Sequence, residues 1–125
     1  MGSKFGTAIN CIDGRVQEPV SEFIRKNYGL DYVDMITTPG PDKILSESED
    51  GHEIESVRKK VSLSCQRRGS KLIFIAGHHD CLANPCSEEE HLRQIRKAVA
   101  NIMEWKLAPE VCGIWVGKDW KARLI

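Results

Sequence analysis

Residues 71–81 read KLIFIAGHHDC, and this stretch decides the fold. Its apolar run from Leu72 to Ala76 is typical of a strand that is covered on both faces in the middle of a parallel sheet. The run is far too short to span a bilayer. Two histidines, an aspartate and a cysteine follow directly, so the stretch predicts a buried strand that carries reactive side chains to one edge of a sheet.

Strand and helix patterns alternate along the rest of the chain. Strands are predicted at residues 4–10, 32–41, 71–76 and 111–116, and helices at 18–28, 52–68 and 87–103. Ser87 with Glu90 forms a capping-box pattern at the start of the last helix, whereas the polar stretch 44–52 is predicted to be a loop. The alternation predicts a single α/β domain over residues 1–125, a three-layer sandwich around a mostly parallel sheet.

A second polar motif, CIDGR at residues 11–15, follows the first predicted strand. If the chain runs from strand one out to strand two and returns to place strand three on the other side of strand one, the strand order is 2-1-3-4. Ligands of such sheets bind beyond the carboxyl ends of the strands, where the winding direction reverses. The order therefore predicts that CIDGR and HHDC are neighbours in one site.

Composition limits the classes of function. The 125 residues include 18 basic and 18 acidic side chains, with no block of five like charges, which disfavours nucleic acid or an anionic membrane as a partner and favours a small neutral substrate. No apolar signal-peptide segment is recognised near the N-terminus, so a cytoplasmic location is expected. The five cysteines are an odd number scattered through the chain, which argues for reduced thiols rather than a disulfide framework.

Three side chains of the two motifs favour zinc. Cys11, His78 and Cys81 would supply two thiolates and an imidazole, and the three-residue step from His78 to Cys81 lets both reach one ion. The fourth position can be taken by water, by Asp13 or by Cys86. An open position would make the site catalytic, because zinc lowers the pKa of bound water enough to supply hydroxide near neutral pH.

Asp13 and Arg15 are expected to form an ion pair, since their spacing lets the two side chains point the same way. The arginine would keep the carboxylate ionised, and the carboxylate could accept a hydrogen bond or pass on a proton. A purely structural ion pair is the alternative. Other side chains are assigned to packing or to the surface: Cys65, Cys112, Trp105, Trp115 and Trp120 to packing, and His52, His79 and His91 to the surface.

The motifs CIDGR and GHHDC, in this order, resemble those of the β-class carbonic anhydrases, whose pattern is Cys-x-Asp-(Ser or similar)-Arg followed by His-x-x-Cys. The resemblance extends over NYGLDYVDMITTPG at 27–40 and GIWVGKDWKARLI at 113–125. It implies a homodimer or higher homo-oligomer that hydrates carbon dioxide reversibly to bicarbonate by a zinc-bound hydroxide. The site residues that it implies are the metal ligands Cys11, His78 and Cys81 and the catalytic pair Asp13 and Arg15.

Two other functions agree with the same motifs. A zinc hydroxide could also hydrolyse a related linear molecule such as carbon disulfide or carbonyl sulfide. The domain could instead bind zinc without catalysis and serve as a binding or assembly module. Loss of turnover with retention of zinc on replacing Asp13 would favour an enzyme.

Overall fold

The computed structural model describes residues 2–47 and 49–125. Strands β1 to β5 span Phe5–Asn10, Tyr32–Thr37, Leu72–His78, Glu110–Val116 and Ala122–Leu124. Helices α1 to α4 span Gln17–Tyr28, Pro41–Ser46, Gly51–Arg68 and Glu88–Met103. Within these ranges no helix is both long enough and apolar enough to cross a membrane.

All five strands belong to one sheet in the order β2-β1-β3-β4-β5. The first four are parallel, and β5 pairs antiparallel with β4 through the register of Ile114 with Leu124. The predicted order 2-1-3-4 and the mostly parallel sheet are confirmed. The fifth strand was not predicted, because three residues are too few to show an alternating pattern.

Helices cover both faces of the sheet, which makes three layers. In the central strand β3, Ile73 and Ile75 face the core that α2, α3 and α4 cover, whereas Phe74 and Ala76 face the core under α1. Side chains of β3 are therefore buried on both faces, as its continuous apolar sequence predicts.

Capping residues account for most of the observed starts and ends of the helices. The Ser87 hydroxyl accepts a hydrogen bond of 3.1 Å from the Glu90 N–H, as the capping pattern predicts. Asp50 does the same for the Glu53 N–H at the start of α3. Gly29 and Gly69 end α1 and α3 in the left-handed region, with φ of 62° and 72°.

The prediction of a loop over residues 44–52 is wrong at both ends. Residues 44–46 belong to α2 and residues 51–52 to α3, while Ser48 lies outside the described residues. Helix α2 has only six residues, too few for a periodic pattern. It is held by the burial of Leu45 and by a contact of Asp42 with α4.

The expectation that His91 is exposed is also wrong. Its side chain is 2% exposed, and its Nδ1 lies 2.6 Å from Oδ2 of Asp42. The histidine stands near the start of α4, where polar residues usually face solvent, but α2 packs a carboxylate against it. Cys65 is buried as expected, whereas Cys112 is only half-buried, beside Tyr28.

Gly77 in β3 leaves room for the carboxylate of Asp42. A Cβ at this position would lie 2.5 Å from Oδ2 of Asp42 and 2.9 Å from Cδ1 of Ile95. We expect Gly77→Ala to lower the free energy of unfolding by about 1–3 kcal/mol through overpacking. Thermal unfolding should show a lower Tm, while Gly14→Ala, with no atom within 4 Å of the new Cβ, should not change it. Equal Tm values for the two variants would contradict the close packing at Gly77.

Candidate metal centre

The carboxyl ends of β1 and β3 lie side by side, because the two strands are parallel neighbours. Cys11 follows β1, His78 is the last residue of β3, and Cys81 lies in the loop after β3. One ligand atom from each of these three buried residues lies within 4.8 Å of the other two. No further group of this kind occurs among residues 2–47 and 49–125. The structure thus brings together the three residues that the sequence proposes as ligands.

The imidazole of His78 has one ring nitrogen engaged and one without a partner. Nδ1 lies 2.8 Å from the carbonyl oxygen of His79, which can only accept, so Nδ1 carries the proton. Nε2 is buried and has no hydrogen-bond partner. A buried nitrogen with an unused lone pair is costly unless something binds it, and this tautomer is the one that a metal ligand needs.

The sulfurs of Cys11 and Cys81 shift each other's pKa in opposite directions. A hydrogen bond with Cys81 holds the pKa of Cys11 well below its usual range against the effect of burial, and His78 and the N–H groups of Gly40 and Asp13 act in the same direction. The hydrogen bond with Cys11 and burial raise the pKa of Cys81. One sulfur is therefore prepared as a thiolate, and a cation bound by both would displace the proton of the other.

This donor set fits zinc. Two sulfurs and one imidazole nitrogen are ligands that zinc prefers. Neither alternative fourth ligand joins the group. The carboxylate of Asp13 is bonded to Arg15, and the exposed Cys86 has its sulfur 3.7 Å from Oδ1 of Asn84.

Asp13 and Arg15 form a close ion pair beside this group. Oδ2 of Asp13 accepts from NH2 of Arg15 at 2.7 Å, and Oδ1 accepts from Nε at 3.0 Å and from the Arg15 backbone N–H at 2.9 Å. These bonds lower the pKa of Asp13 to about 2. The carboxylate therefore stays ionised at neutral pH. The motif is a turn here rather than the extended segment assumed from the spacing.

Three further side chains support this pair, and the roles of Trp120 and Gln17 among them were missed from the sequence. The guanidinium of Arg15 lies 4.2 Å from the ring centroid of Trp120, and its NH1 lies 3.3 Å from Oδ2 of Asp80. Nε2 of Gln17 donates to the carbonyl oxygens of Cys11 at 2.6 Å and Asp13 at 3.1 Å. The motif quoted from the sequence ends at residue 15, and nothing in the sequence indicates that Trp120 lies under it.

Fold and site together define a class: an α/β protein with a candidate metal centre of two cysteines and one histidine at the carboxyl edge of its sheet. A family described as "Putative carbonic anhydrase" matches residues 1–125, and the chain belongs to that family. No curated protein sequence gave a significant match.

Several solved structures are similar to the chain. A carbonic anhydrase from Glaciozyma antarctica is 16% identical with a TM-score of 0.58, and the match covers 94% of this chain and 80% of that one. A β-carbonic anhydrase of Aspergillus fumigatus, also 16% identical, has a TM-score of 0.49 with 99% and 76% covered. One described as a tetrameric β-carbonic anhydrase from Sordaria macrospora is 16% identical with a TM-score of 0.48, and 99% and 82% are covered. The first of these supports the fold.

Proposed function

We propose that this chain is a zinc enzyme that hydrates carbon dioxide reversibly to bicarbonate and a proton, with Cys11, His78 and Cys81 as the ligands of one zinc ion. The observation that carries the proposal is the buried group of these three side chains, in which Nε2 of His78 has no partner. Membership of the carbonic anhydrase family supports the choice of reaction.

A zinc ion held by two thiolates and an imidazole would supply a Lewis acid that lowers the pKa of a water molecule toward neutrality. The chain's own residues then determine the orientation of the ligand side chains. The carbonyl of His79 fixes the ring of His78, and Gln17 fixes the backbone from Cys11 to Asp13 by donating to two of its carbonyl groups. Both contacts hold the ligand side chains in place before an ion arrives, which lowers the cost of ordering them on binding.

Asp13 acts in this proposal as an oriented hydrogen-bond acceptor. With a pKa of about 2 it is a weak base at neutral pH, so it does not store the proton that the reaction releases. Oδ2 of Asp13 accepts one bond from Arg15 and so retains a second lone-pair direction, whereas Oδ1 accepts two bonds from Arg15. Arg15, stacked on Trp120, keeps the carboxylate charged and fixes the direction in which it can accept from the reacting water.

The test is stopped-flow hydration of carbon dioxide over about pH 6.5 to 9, with zinc measured on the same sample. We expect one zinc per chain and activity that rises with pH. One zinc per chain without carbon dioxide hydration at any pH would contradict the proposed activity and support the proposed metal centre. The same sample assayed with carbon disulfide and carbonyl sulfide would then separate a related hydrolase from a non-catalytic zinc domain.

We also propose that the chain assembles as a homodimer or larger homo-oligomer. Ile12 and Leu82 each follow a proposed metal ligand directly, yet their side chains are 60% and 93% exposed. Two large apolar side chains beside one site indicate a surface that another molecule covers. Sedimentation equilibrium should give at least twice the chain mass, and Leu82→Asp should weaken the association. A monomer at all accessible concentrations would contradict this.

A further inference from the structure

Four polar side chains behind the metal centre form a buried cluster that the proposed reaction does not use. Asp42 in α2, Asn84 in the loop after Cys81, and His91 and Gln94 in α4 are between 1% and 5% exposed. Burying a carboxylate and three polar side chains costs free energy unless each finds partners. The four residues come from three separate segments, so the fold assembles them.

The members of this cluster satisfy one another. Oδ2 of Asp42 lies 2.6 Å from Nδ1 of His91, and Oδ1 accepts from Nδ2 of Asn84 at 3.0 Å. Nδ2 of Asn84 also donates to Oε1 of Gln94 at 2.7 Å. Asn84 therefore joins α2 to α4, and removing its amide would leave two buried acceptors without this donor.

The cluster touches the segment that carries Cys81. The backbone N–H of Asn84 donates to the carbonyl oxygen of Cys81 at 3.4 Å. Since the Asn84 side chain is fixed by Asp42 and Gln94, the loop that carries Cys81 is fixed with it.

The cluster also touches the segments that support Cys11 and His78. The backbone N–H of Thr38 donates to the carbonyl oxygen of Asn10, the residue before Cys11, at 3.1 Å, and Thr38 stands four residues before Asp42. A Cβ on Gly40 would lie 3.1 Å from that of Asn84, so the two segments are in close contact. The carboxylate of Asp42 rests against Gly77, the residue before His78.

We infer that Asp42, Asn84 and His91 are positioning residues for the metal centre, which set its affinity for zinc by holding the backbone around all three ligands. This inference rests on the proposed binding of zinc. None of the three residues belongs to the ligand group. They act through the backbone of residues 38–42 and 81–84 and through the strand end at Gly77, as hydrogen bonds behind metal ligands do elsewhere.

A second buried polar cluster supplies a matched control. Oγ of Ser64 lies 2.6 Å from Oγ1 of Thr7 and 2.7 Å from Oδ2 of Asp34. Thr7 stands near the start of β1, at the amino end of the sheet, away from the carboxyl end where the ligands gather. Ser64→Ala therefore removes comparable buried hydrogen bonds without touching the metal centre.

The experiment compares Asn84→Ala and Asp42→Asn with Ser64→Ala in the full chain. Zinc affinity is measured by competition with a chromogenic chelator, geometry by the absorption of the cobalt(II)-substituted protein, and stability by Tm. We expect about 10- to 100-fold weaker zinc binding and a changed cobalt spectrum for the first two variants. Ser64→Ala should lower Tm and leave both zinc affinity and spectrum as in the wild type.

The outcomes separate this inference from the proposed function. Zinc affinities within about twofold of wild type for Asn84→Ala and Asp42→Asn, together with a lower Tm, would overturn the positioning role and leave a structural cluster. A wild-type chain that binds no zinc would overturn the inference and the proposed function together. If Asn84→Ala does not fold, Asp42→Asn decides alone, because it removes the charge that faces His91 and keeps an oxygen acceptor for the Asn84 amide. Unchanged zinc affinity in that variant overturns the inference equally.

Discussion

Replacing Cys81 by serine should reduce bound zinc from one ion per chain to almost none and abolish carbon dioxide hydration. The serine hydroxyl is nearly the same size as the thiol, so the buried site should keep its packing. It remains a neutral alcohol at working pH, however, and is a poor zinc ligand beside a thiolate. The loss of zinc affinity should be larger than the loss of about 10- to 100-fold that is typical when a hydrogen bond to a metal ligand is removed. Metal analysis after dialysis measures it.

Cys86→Ser is the matched control, because it makes the same chemical change five residues further along the loop. The sulfur of Cys86 is exposed and lies outside the ligand group. We expect full zinc content and wild-type hydration for this variant. Loss of zinc from Cys86→Ser would show that Cys86 is a fourth ligand, and full zinc retention by Cys81→Ser would refute the proposed ligand set.

Asp13→Asn should lower kcat/KM for hydration by about 10²- to 10⁴-fold, the range expected when a positioned proton-transfer or acceptor group is lost. The amide keeps the shape but loses the charge that holds Arg15 and one of the two oxygen acceptors. Zinc content should stay at one ion per chain, since Asp13 is not in the ligand group. Stopped-flow assays on zinc-loaded samples measure the effect.

The pH dependence sharpens this prediction. Because the pKa of Asp13 is about 2, its ionisation is complete throughout the assayed range. Asp13→Asn should therefore lower the whole pH profile without moving its inflection. Asp80→Asn, which removes the weaker contact with Arg15 at 3.3 Å, is the control and should retain most of the activity. Turnover by Asp13→Asn at the wild-type rate would contradict a catalytic role for Asp13. The ion pair of Asp13 with Arg15 would then have only a structural role.

The central strand and the site it carries could be predicted because their signals are local. The run from Leu72 to Ala76 is apolar without interruption, and His78 and Cys81 follow within nine residues of its start. Cys11 likewise directly follows strand β1. Parallel strands with right-handed crossovers leave few arrangements, so the neighbourhood of these two strand ends follows from the element order.

The residues behind the site could not be predicted in the same way. His91 directly follows three glutamates in the first turn of α4, which predicts an exposed position, and Asp42 lies in a six-residue helix without periodicity. Their burial depends on α2 packing against α4, a contact between residues 49 positions apart. The stacking of Arg15 on Trp120 spans a still larger separation along the chain.

The sequence by itself determined the alternation of strands and helices and the three side chains that can hold a metal, because each depends on a pattern within a few residues. The order of the first four strands was predicted from that alternation together with the preference for right-handed crossovers. Only the tertiary structure decided how these side chains are supported: the partnerless Nε2 of His78, the orientation of Arg15 by Trp120, and the contact of Asp42 with His91. Such contacts join residues far apart in the chain. They are selected by the packing of whole elements, which short-range patterns do not encode.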